Sequence, residues 1–406
     1  MPIIRSMLDL DFYKLTMLQV VFDRHSDVKV KYAFTNRTTD VRLADILPAE
    51  RVQEELVHLR TLRFTRDELA YLESLGLFRT AFLHWLLGYR LPEISLDVRD
   101  GQFRIETEGR WADVDLWETL VLSTVNELYY AALVGPQASA WPKVGLENFE
   151  YKCRFLGQEK YQDLPFVEFG TRRRYQRGWQ EYLVEKMAIK RRVGLLPGFK
   201  GTSNVHLARK FDLTPVGTFA HAMYMVYSGI YRDSDESIRA SHNRVLTDWR
   251  ETYGPELSTA LTDTYGTDFF FRAMTAEMAR EWDGLRHDSG NAFEFARKTI
   301  AFYESHGIDP KTKTIVFSDG LTIEKMCALY ANFSDRIGVS FGWGTNLTND
   351  MGFRPLSLVM KAVEANGYPT VKLSDNLAKA TGPAEEVERF KRIFGYSGGE
   401  YETCIY

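Results

Sequence analysis

The chain has 406 residues, 45% hydrophobic and 26% charged, which is ordinary globular usage. At roughly 100–200 residues per domain, that length makes two or three domains. The formal net charge of −4 argues against a general nucleic-acid binder, which carries a basic excess, but leaves room for a small, focused basic pocket. Cys153, Cys327 and Cys404 stand far apart, with no Cys-x-x-Cys or Cys/His metal spacing. Neither a disulfide framework nor a structural zinc site is expected, and a reducing, cytoplasmic compartment fits. The first ten residues hold an acid, Asp9, and no long apolar run, unlike a signal peptide.

In chain order, Asp9 or Asp11 can cap a helix running through Lys14 to Phe22, with Leu15, Leu18 and Phe22 on one face. Val28, Val30, Tyr32 and Phe34 then alternate with Lys29, Lys31 and Ala33, which is the pattern of a half-buried strand. Helical patterns fill most of residues 49–87. Ile94, Leu96 and Val98 face Phe103, Ile105 and Thr107 across Asp100-Gly101, whose preference for positive φ predicts a two-residue hairpin. Residues 116–134 are the longest apolar-looking stretch. Glu118, Ser123, Asn126 and Glu127 break it, so it reads as a buried helix and not a membrane span.

The rhythm changes after about residue 165. Short apolar runs begin at Phe166, Thr214, Ala260, Thr314, Ile337 and Val371, and helical patterns follow them. Strands alternating with helices imply a parallel sheet, and this many units suggest an α/β barrel. Residues 231–254 are charged and helix-like, and read as an insertion. The expected division is an α+β domain over residues 1–150 and an α/β barrel over 151–380. A C-terminal helix (about 384–394) and tail over 381–406 would pack back on the N-terminal domain.

Barrel chemistry collects at the C-terminal ends of the strands, so the polar residues after each run carry the functional reading. Gly170-Thr171-Arg172-Arg173-Arg174 places three arginine forks at a strand end, and such forks suit phosphate. One of the three is expected to face away, and Arg172 and Arg174 are taken as the binding pair. Gly201-Thr202-Ser203-Asn204 and Gly342-Trp343-Gly344-Thr345 offer bare backbone N–H groups and hydroxyls to an anion, although a tight turn explains the glycines equally well. Asp288 and Asp319 follow strands beside small residues. They could hold ribose hydroxyls or a hydrated magnesium ion, or simply cap helices. His221 follows Gly217-Thr218-Phe219-Ala220 near a helix start, where a core or capping histidine is the ordinary outcome. No Gly-x-Ser-x-Gly elbow and no His-Glu-x-x-His occurs.

These motifs, in this order and together with Asp11-Phe12-Tyr13-Lys14-Leu15, Arg286-His287-Asp288-Ser289-Gly290 and Phe317-Ser318-Asp319, resemble the nicotinate phosphoribosyltransferase family. The resemblance runs through nearly the whole chain. It implies a type II phosphoribosyltransferase fold, an irregular α/β barrel with an α+β N-terminal domain, working as a homodimer with shared active sites. It also implies synthesis of nicotinate mononucleotide from nicotinate and 5-phosphoribosyl 1-pyrophosphate (PRPP), coupled to ATP hydrolysis with Mg2+ and serving NAD biosynthesis. By the same resemblance His221 is phosphorylated. Tyr13, Thr218 and Arg286 lie around nicotinate, Tyr13 from either subunit, and Thr345 lies on the PRPP phosphate. Ser203, Gly342 and Gly344 join Arg172 and Arg174 as substrate-binding positions, with His221, Asp288 and Asp319 catalytic. Two positions depart from the family pattern: Asn291 and Thr322 stand where it usually has further acids.

Other readings keep the fold and change the base to nicotinamide or quinolinate, or change the class. A sugar-phosphate aldolase or isomerase would need a Schiff-base lysine or a poised carboxylate, and Lys372, after the strand-like Val371, is the lysine that fits. A non-catalytic sensor of pyridine nucleotides would bind ligand without turnover.

Overall fold

The computed structural model describes residues 1–135, 141–396 and 398. The chain divides into two compact units. Among the described residues, the first is Met1–Gly217 with Trp343–Lys361, and the second is Thr218–Gly342 with the chain from Ala362 to Tyr396 and residue 398.

The first unit opens with the helix Phe12–Arg24, which buries Leu15 and Leu18 completely. Asp11 sits at its N-cap in extended conformation, but its carboxylate makes no cap bond. Strand β1 (Lys29–Asn36) buries every second residue, Val30, Tyr32, Phe34 and Asn36. Strands β2 (Ser95–Arg99) and β3 (Gln102–Arg110) form the expected hairpin, and β3 also pairs antiparallel with β1. Asp100 and Gly101 adopt φ of 52° and 75°, as a type I′ turn requires. Leu96 faces Ile105 and Val98 faces Phe103. Phe103 and Ile105 are buried while Val98 stays exposed, because β2 is the edge of the sheet.

Helices Ala49–Leu59, Arg66–Ser74 and Thr80–Gly88 fill the span read as helical. The second begins with a capping box in which Thr65 and Glu68 satisfy each other's backbone N–H. The helix Trp117–Val134 is buried along most of its length and ends at Gly135, φ 72°. Strands β4 (Phe166–Glu168), β5 (Phe199–Thr202) and β6 (Thr214–Pro215) then run parallel in the order β6-β5-β4. Helices Arg177–Arg192 and Val205–Phe211 separate them.

The second unit repeats the pattern. Strands β7 (Thr259–Leu261), β8 (Gly284–His287), β9 (Thr314–Phe317) and β10 (Gly338–Trp343) are parallel in the order β10-β9-β8-β7. Helices Ala292–Ser305 and Ile323–Phe333 follow β8 and β9. The class is therefore α/β with parallel strands, preceded by an α+β region.

Several local expectations change. The run at Val371 is not a strand: Lys372 makes only an isolated antiparallel bridge to Thr381, and Ser374 turns the chain with φ 67°. Strand β5 was not anticipated, since Lys200 and Gly201 interrupt its short apolar run, whereas β8 was implied by the expectation that Asp288 follows a strand. A further hairpin joins β11 (Leu358–Ala365) to β12 (Tyr368–Pro369) across Asn366-Gly367, whose φ values are 50° and 82°.

The span read as an insertion is the helix Asp235–Tyr253. It buries Ile238, Val245, Leu246 and Trp249 and packs on the helix Ala222–Ile230, so it is core. The C-terminal helix spans Ala384–Phe394. The expectation placed it on the N-terminal domain, yet its described contacts lie within the second unit. Phe394 stacks on Tyr265 at 4.0 Å, and Arg239 donates to the Ile393 carbonyl at 2.8 Å. The apolar stripe Phe390, Ile393 and Phe394 selects the aromatic surface of Tyr265 and Phe269. The tail from residue 399, including Cys404, lies outside the described residues.

Candidate active site

In the second unit the segments after β7, β8 and β9 converge on His221, the residue preceding the helix Ala222–Ile230. His221 is 5% exposed. Its Nδ1 lies 2.9 Å from Thr264 Oγ1, and its Nε2 lies 3.0 Å from Asp288 Oδ2 and 2.9 Å from Lys372 Nζ. Asp263 stands 3.7 Å from both the imidazole Nε2 and the Lys372 ammonium. Burial, with Lys372 second, pulls the imidazole down to about 4. A neutral ring with one bare nitrogen follows at neutral pH, which is the form that attacks an electrophile.

The acids behave oppositely. Burial opposes the charge of Asp263, but Lys372 and His221 overcome it and hold the carboxyl down to about 2. Burial likewise opposes ionisation of Asp288, and Arg286 and His221 hold it well below the usual carboxylate range. Asp288 Oδ1 accepts from Arg286 at 3.0 Å and from Ser318 Oγ at 2.9 Å, and Arg286 Nε donates to Ser318 Oγ at 2.8 Å. Lys379 ties Asp319 to this frame, pairing with its carboxylate and donating to the Asp288 carbonyl at 2.9 Å. Thr218 is half-buried.

Neither Asp288 nor Asp319 caps a helix. Asn291 and Thr322, the two departures from the family pattern, do so. Asn291 accepts from the N–H groups of Phe293 and Glu294, and Thr322 accepts from that of Lys325. The capping alternative thus belongs to their neighbours.

Donor atoms of His221, Asp263 and Asp288 lie within 4.8 Å of one another, a spacing that can hold a metal ion. Lys372 already supplies a cation there, 2.9 Å from the imidazole nitrogen.

The first unit holds a separate polar cluster. Ser203 Oγ donates to Asp11 Oδ1 at 2.6 Å, and Phe12 N–H donates to the Ser203 carbonyl at 2.7 Å. This seats the Asp11-Phe12-Tyr13 motif on the Gly201-Thr202-Ser203-Asn204 turn. Arg172 pairs with Asp11 at 3.2 Å and Glu118 at 3.4 Å. Its guanidinium lies 5.4 Å from the centroid of the Tyr13 ring. Tyr13 is only 6% exposed. Lys14, fully buried, adds ion pairs to Asp115 and Glu118.

Arg174 departs from its expected role. It is fully buried, and its fork is spent on Asp9 at 2.6 and 3.0 Å and on Gln180 at 3.1 Å. The inward arginine is therefore Arg174, while Arg172 and Arg173 remain half-exposed. Glu168, at the end of β4, accepts from Gly170 N–H, Thr202 Oγ1 and Gln180 Nε2, fixing the arginine loop to the Thr202 turn. Gly344 lies against the Phe169 carbonyl, where an added Cβ would come within 3.3 Å. Thr345 opens a single helical turn and is 9% exposed.

Residue reading missed Asp263, Thr264, Lys379 and Glu168. The rule of inspecting strand ends would have found Asp263 and Thr264, which lie two and three residues after the end of β7. Lys379 carries no local signal, since only the fold brings it to Asp319.

The fold and these clusters define an α/β protein with buried, paired charges gathered at its strand ends. Family models match residues 164–398 (the nicotinate phosphoribosyltransferase, NAPRTase, family) and residues 8–126 (its N-terminal domain). The chain belongs to the nicotinate phosphoribosyltransferase family. It is similar to the crystal structure of the Porphyromonas gingivalis nicotinate phosphoribosyltransferase, with 32% identity over 97% of this chain and 100% of that one, and a TM-score of 0.87. A putative nicotinate phosphoribosyltransferase from Saccharomyces cerevisiae gives 29% identity over 98% and 99%, TM-score 0.87. The Vibrio cholerae nicotinate phosphoribosyltransferase gives 32% identity over 99% and 95%, TM-score 0.85.

Proposed function

We propose that the nicotinate phosphoribosyl transfer of this family is driven, in this chain, by ATP through a phosphohistidine at His221. The observation that carries the reading is the His221 environment. A buried, neutral imidazole has Nδ1 fixed by Thr264 and Nε2 directed at a cluster of opposed charges. The transfer itself joins the pyridine nitrogen to ribose C1 as pyrophosphate leaves through a cation-like sugar. Orientation and stabilisation of departing charge are what the protein supplies.

Arg286 offers a fork to the nicotinate carboxylate, and Thr218 a hydroxyl. Tyr13 offers an aromatic face to a pyridine ring. Arg172, Ser203, Gly342, Gly344 and Thr345 are assigned to PRPP. Asp288 and Asp319 are suited to hold hydrated magnesium with the substrate phosphates, where the ion neutralises phosphate charge. The working form is proposed as a homodimer. No described helix is long and apolar enough to cross a membrane.

Phosphorylation adds about −1.5 to −2 charges, which draws cationic groups toward His221 and favours the PRPP-binding state. The test uses ATP labelled at its terminal phosphate. Acid-labile, base-stable label is expected on the protein and absent from His221→Asn; label persisting in that variant refutes the assignment. Offering nicotinate, nicotinamide and quinolinate with PRPP tests the base, and nicotinate is expected to turn over fastest. The aldolase reading loses its lysine, because Lys372 is committed to His221 and Asp263.

A further inference from the structure

Lys372 lies off every strand, yet its placement is specific. Its backbone exchanges two hydrogen bonds with Thr381, at 3.0 and 2.9 Å. The next N–H, that of Leu373, donates to the Thr264 carbonyl at 2.8 Å. The same Thr264 holds His221 Nδ1. Lysine and histidine are thus fixed to one short segment after β7. Lys372 is 5% exposed, and its ammonium stands nearer the imidazole nitrogen, 2.9 Å, than the carboxylate of Asp263, 3.7 Å. A lysine placed only to neutralise Asp263 would sit on the acid. This one sits on the atom that reacts.

We propose that Lys372 is a catalytic residue of the ATP-driven half-reaction, its ammonium passing from His221 Nε2 to the phosphoryl oxygens as the nitrogen–phosphorus bond forms. The proposal rests on the phosphohistidine reading above. Attack requires the tautomer with hydrogen on Nδ1, donated to Thr264; Asp288 Oδ2, 3.0 Å from Nε2, opposes that tautomer, and the Lys372 ammonium, 2.9 Å from the same nitrogen, favours it. On attack, the Nε2 lone pair forms a bond to the γ-phosphorus of ATP. The bond from phosphorus to the β–γ bridging oxygen breaks, and its electron pair leaves on ADP. The ring keeps its Nδ1 proton.

The new phosphoryl group would face Asp263 and Asp288, two carboxylates that repel it. Lys372 is the nearest cation, and Arg286 reaches the site through Asp288. Hydrolysis later puts the hydroxyl of water on phosphorus and its proton on Nε2, and the ring then returns one proton to solvent.

The experiment measures the initial rate of base-stable labelling of the full chain by terminally labelled ATP with Mg2+. It compares wild type, His221→Asn, Lys372→Gln and Lys372→Arg, with folding checked by circular dichroism. Loss of one charge-stabilising donor at a reacting group costs on the order of a hundredfold in rate, and that loss is expected for Lys372→Gln. Lys372→Arg keeps charge and donors and is expected to retain at least about a tenth of the wild-type rate. Wild-type labelling that disappears in His221→Asn but stays within threefold in folded Lys372→Gln overturns the role of Lys372 alone. Absence of label in wild type, or its persistence in His221→Asn, overturns the phosphohistidine reading and this proposal with it. Should Lys372→Gln not fold, Lys372→Arg decides: folded protein without label overturns the proposal.

Discussion

Arg172 and Arg174 stand two residues apart and have different surroundings. The Arg174 guanidinium is fully buried against Asp9, so Arg174→Met strips that buried carboxylate of its closest cation and leaves it only Arg177 at 3.4 Å and Asn204 at 2.8 Å. The expected cost is ~3–5 kcal/mol, read from urea unfolding; a loss below about 1 kcal/mol would show the pair to be dispensable. Arg172 is half-exposed but pairs with the buried Asp11 and Glu118, and Arg172→Ala is expected to raise the KM for PRPP about tenfold or more, with a stability loss smaller than that of Arg174→Met. Steady-state kinetics beside an unfolding curve separates the two cases. Arg286 makes a third. Its fork touches Asp288 and Ser318, and Arg286→Ala is expected to raise the nicotinate requirement far more than the ATP requirement. Equal effects on both would remove it from the base pocket.

At the scale of elements, the ends of β8 and β9 each deliver a polar side chain, and the helix that follows each carries its own cap. Asn291 and Thr322 cap the helices that follow β8 and β9, so Asp288 and Asp319 are not spent on capping and pair instead with Arg286, Ser318 and Lys379. Asn291→Ala is therefore expected to cost ~1 kcal/mol of stability while kcat/KM stays within twofold. A large loss of activity at unchanged stability would instead place Asn291 in the site.

Hairpins show how far local chemistry reaches. Asp100-Gly101 announced its turn because alternating apolar residues flank it. Asn366-Gly367 makes a similar turn but was passed over, since β12 is only Tyr368–Pro369 and offers no alternation. Val371-Lys372-Leu373 has strand composition, but the left-handed Ser374 breaks it into a bridge.

For the whole molecule, stability depends on many buried ionisable groups acting in opposite senses. His242 is stacked on Tyr224 at 4.7 Å and set against Phe269 at 5.1 Å, and burial pulls its imidazole from 6.5 down to about 4. Between these values the unfolded chain binds more protons than the folded one. The contribution of His242 is thus full above pH 6.5 and falls as pH drops toward 4. Burial pushes the carboxyls of Glu127 and Glu168 up to about 7, and they work the other way as pH rises. Only a difference between variants isolates one group. The stability of wild type relative to His242→Gln is expected to fall by about 2 kcal/mol between pH 7 and pH 5, measured by urea unfolding. A difference that does not change with pH rules out a buried neutral histidine.

The sequence by itself determined the alternation of elements, the Asp100-Gly101 hairpin, the C-terminal helix and the ordered motifs that mark the family. These follow from periodicity, turn chemistry and short-range spacing, which act along the chain. It placed His221, Asp288 and Asp319 at strand ends for the same reason. Only the tertiary structure decided that Arg174 turns inward to Asp9, that Lys379 reaches Asp319, and that Lys372 and Asp263 close on His221. Those pairings join residues 42 to 165 positions apart. Burial then sets their charge states, and neither distance nor burial is written in local sequence.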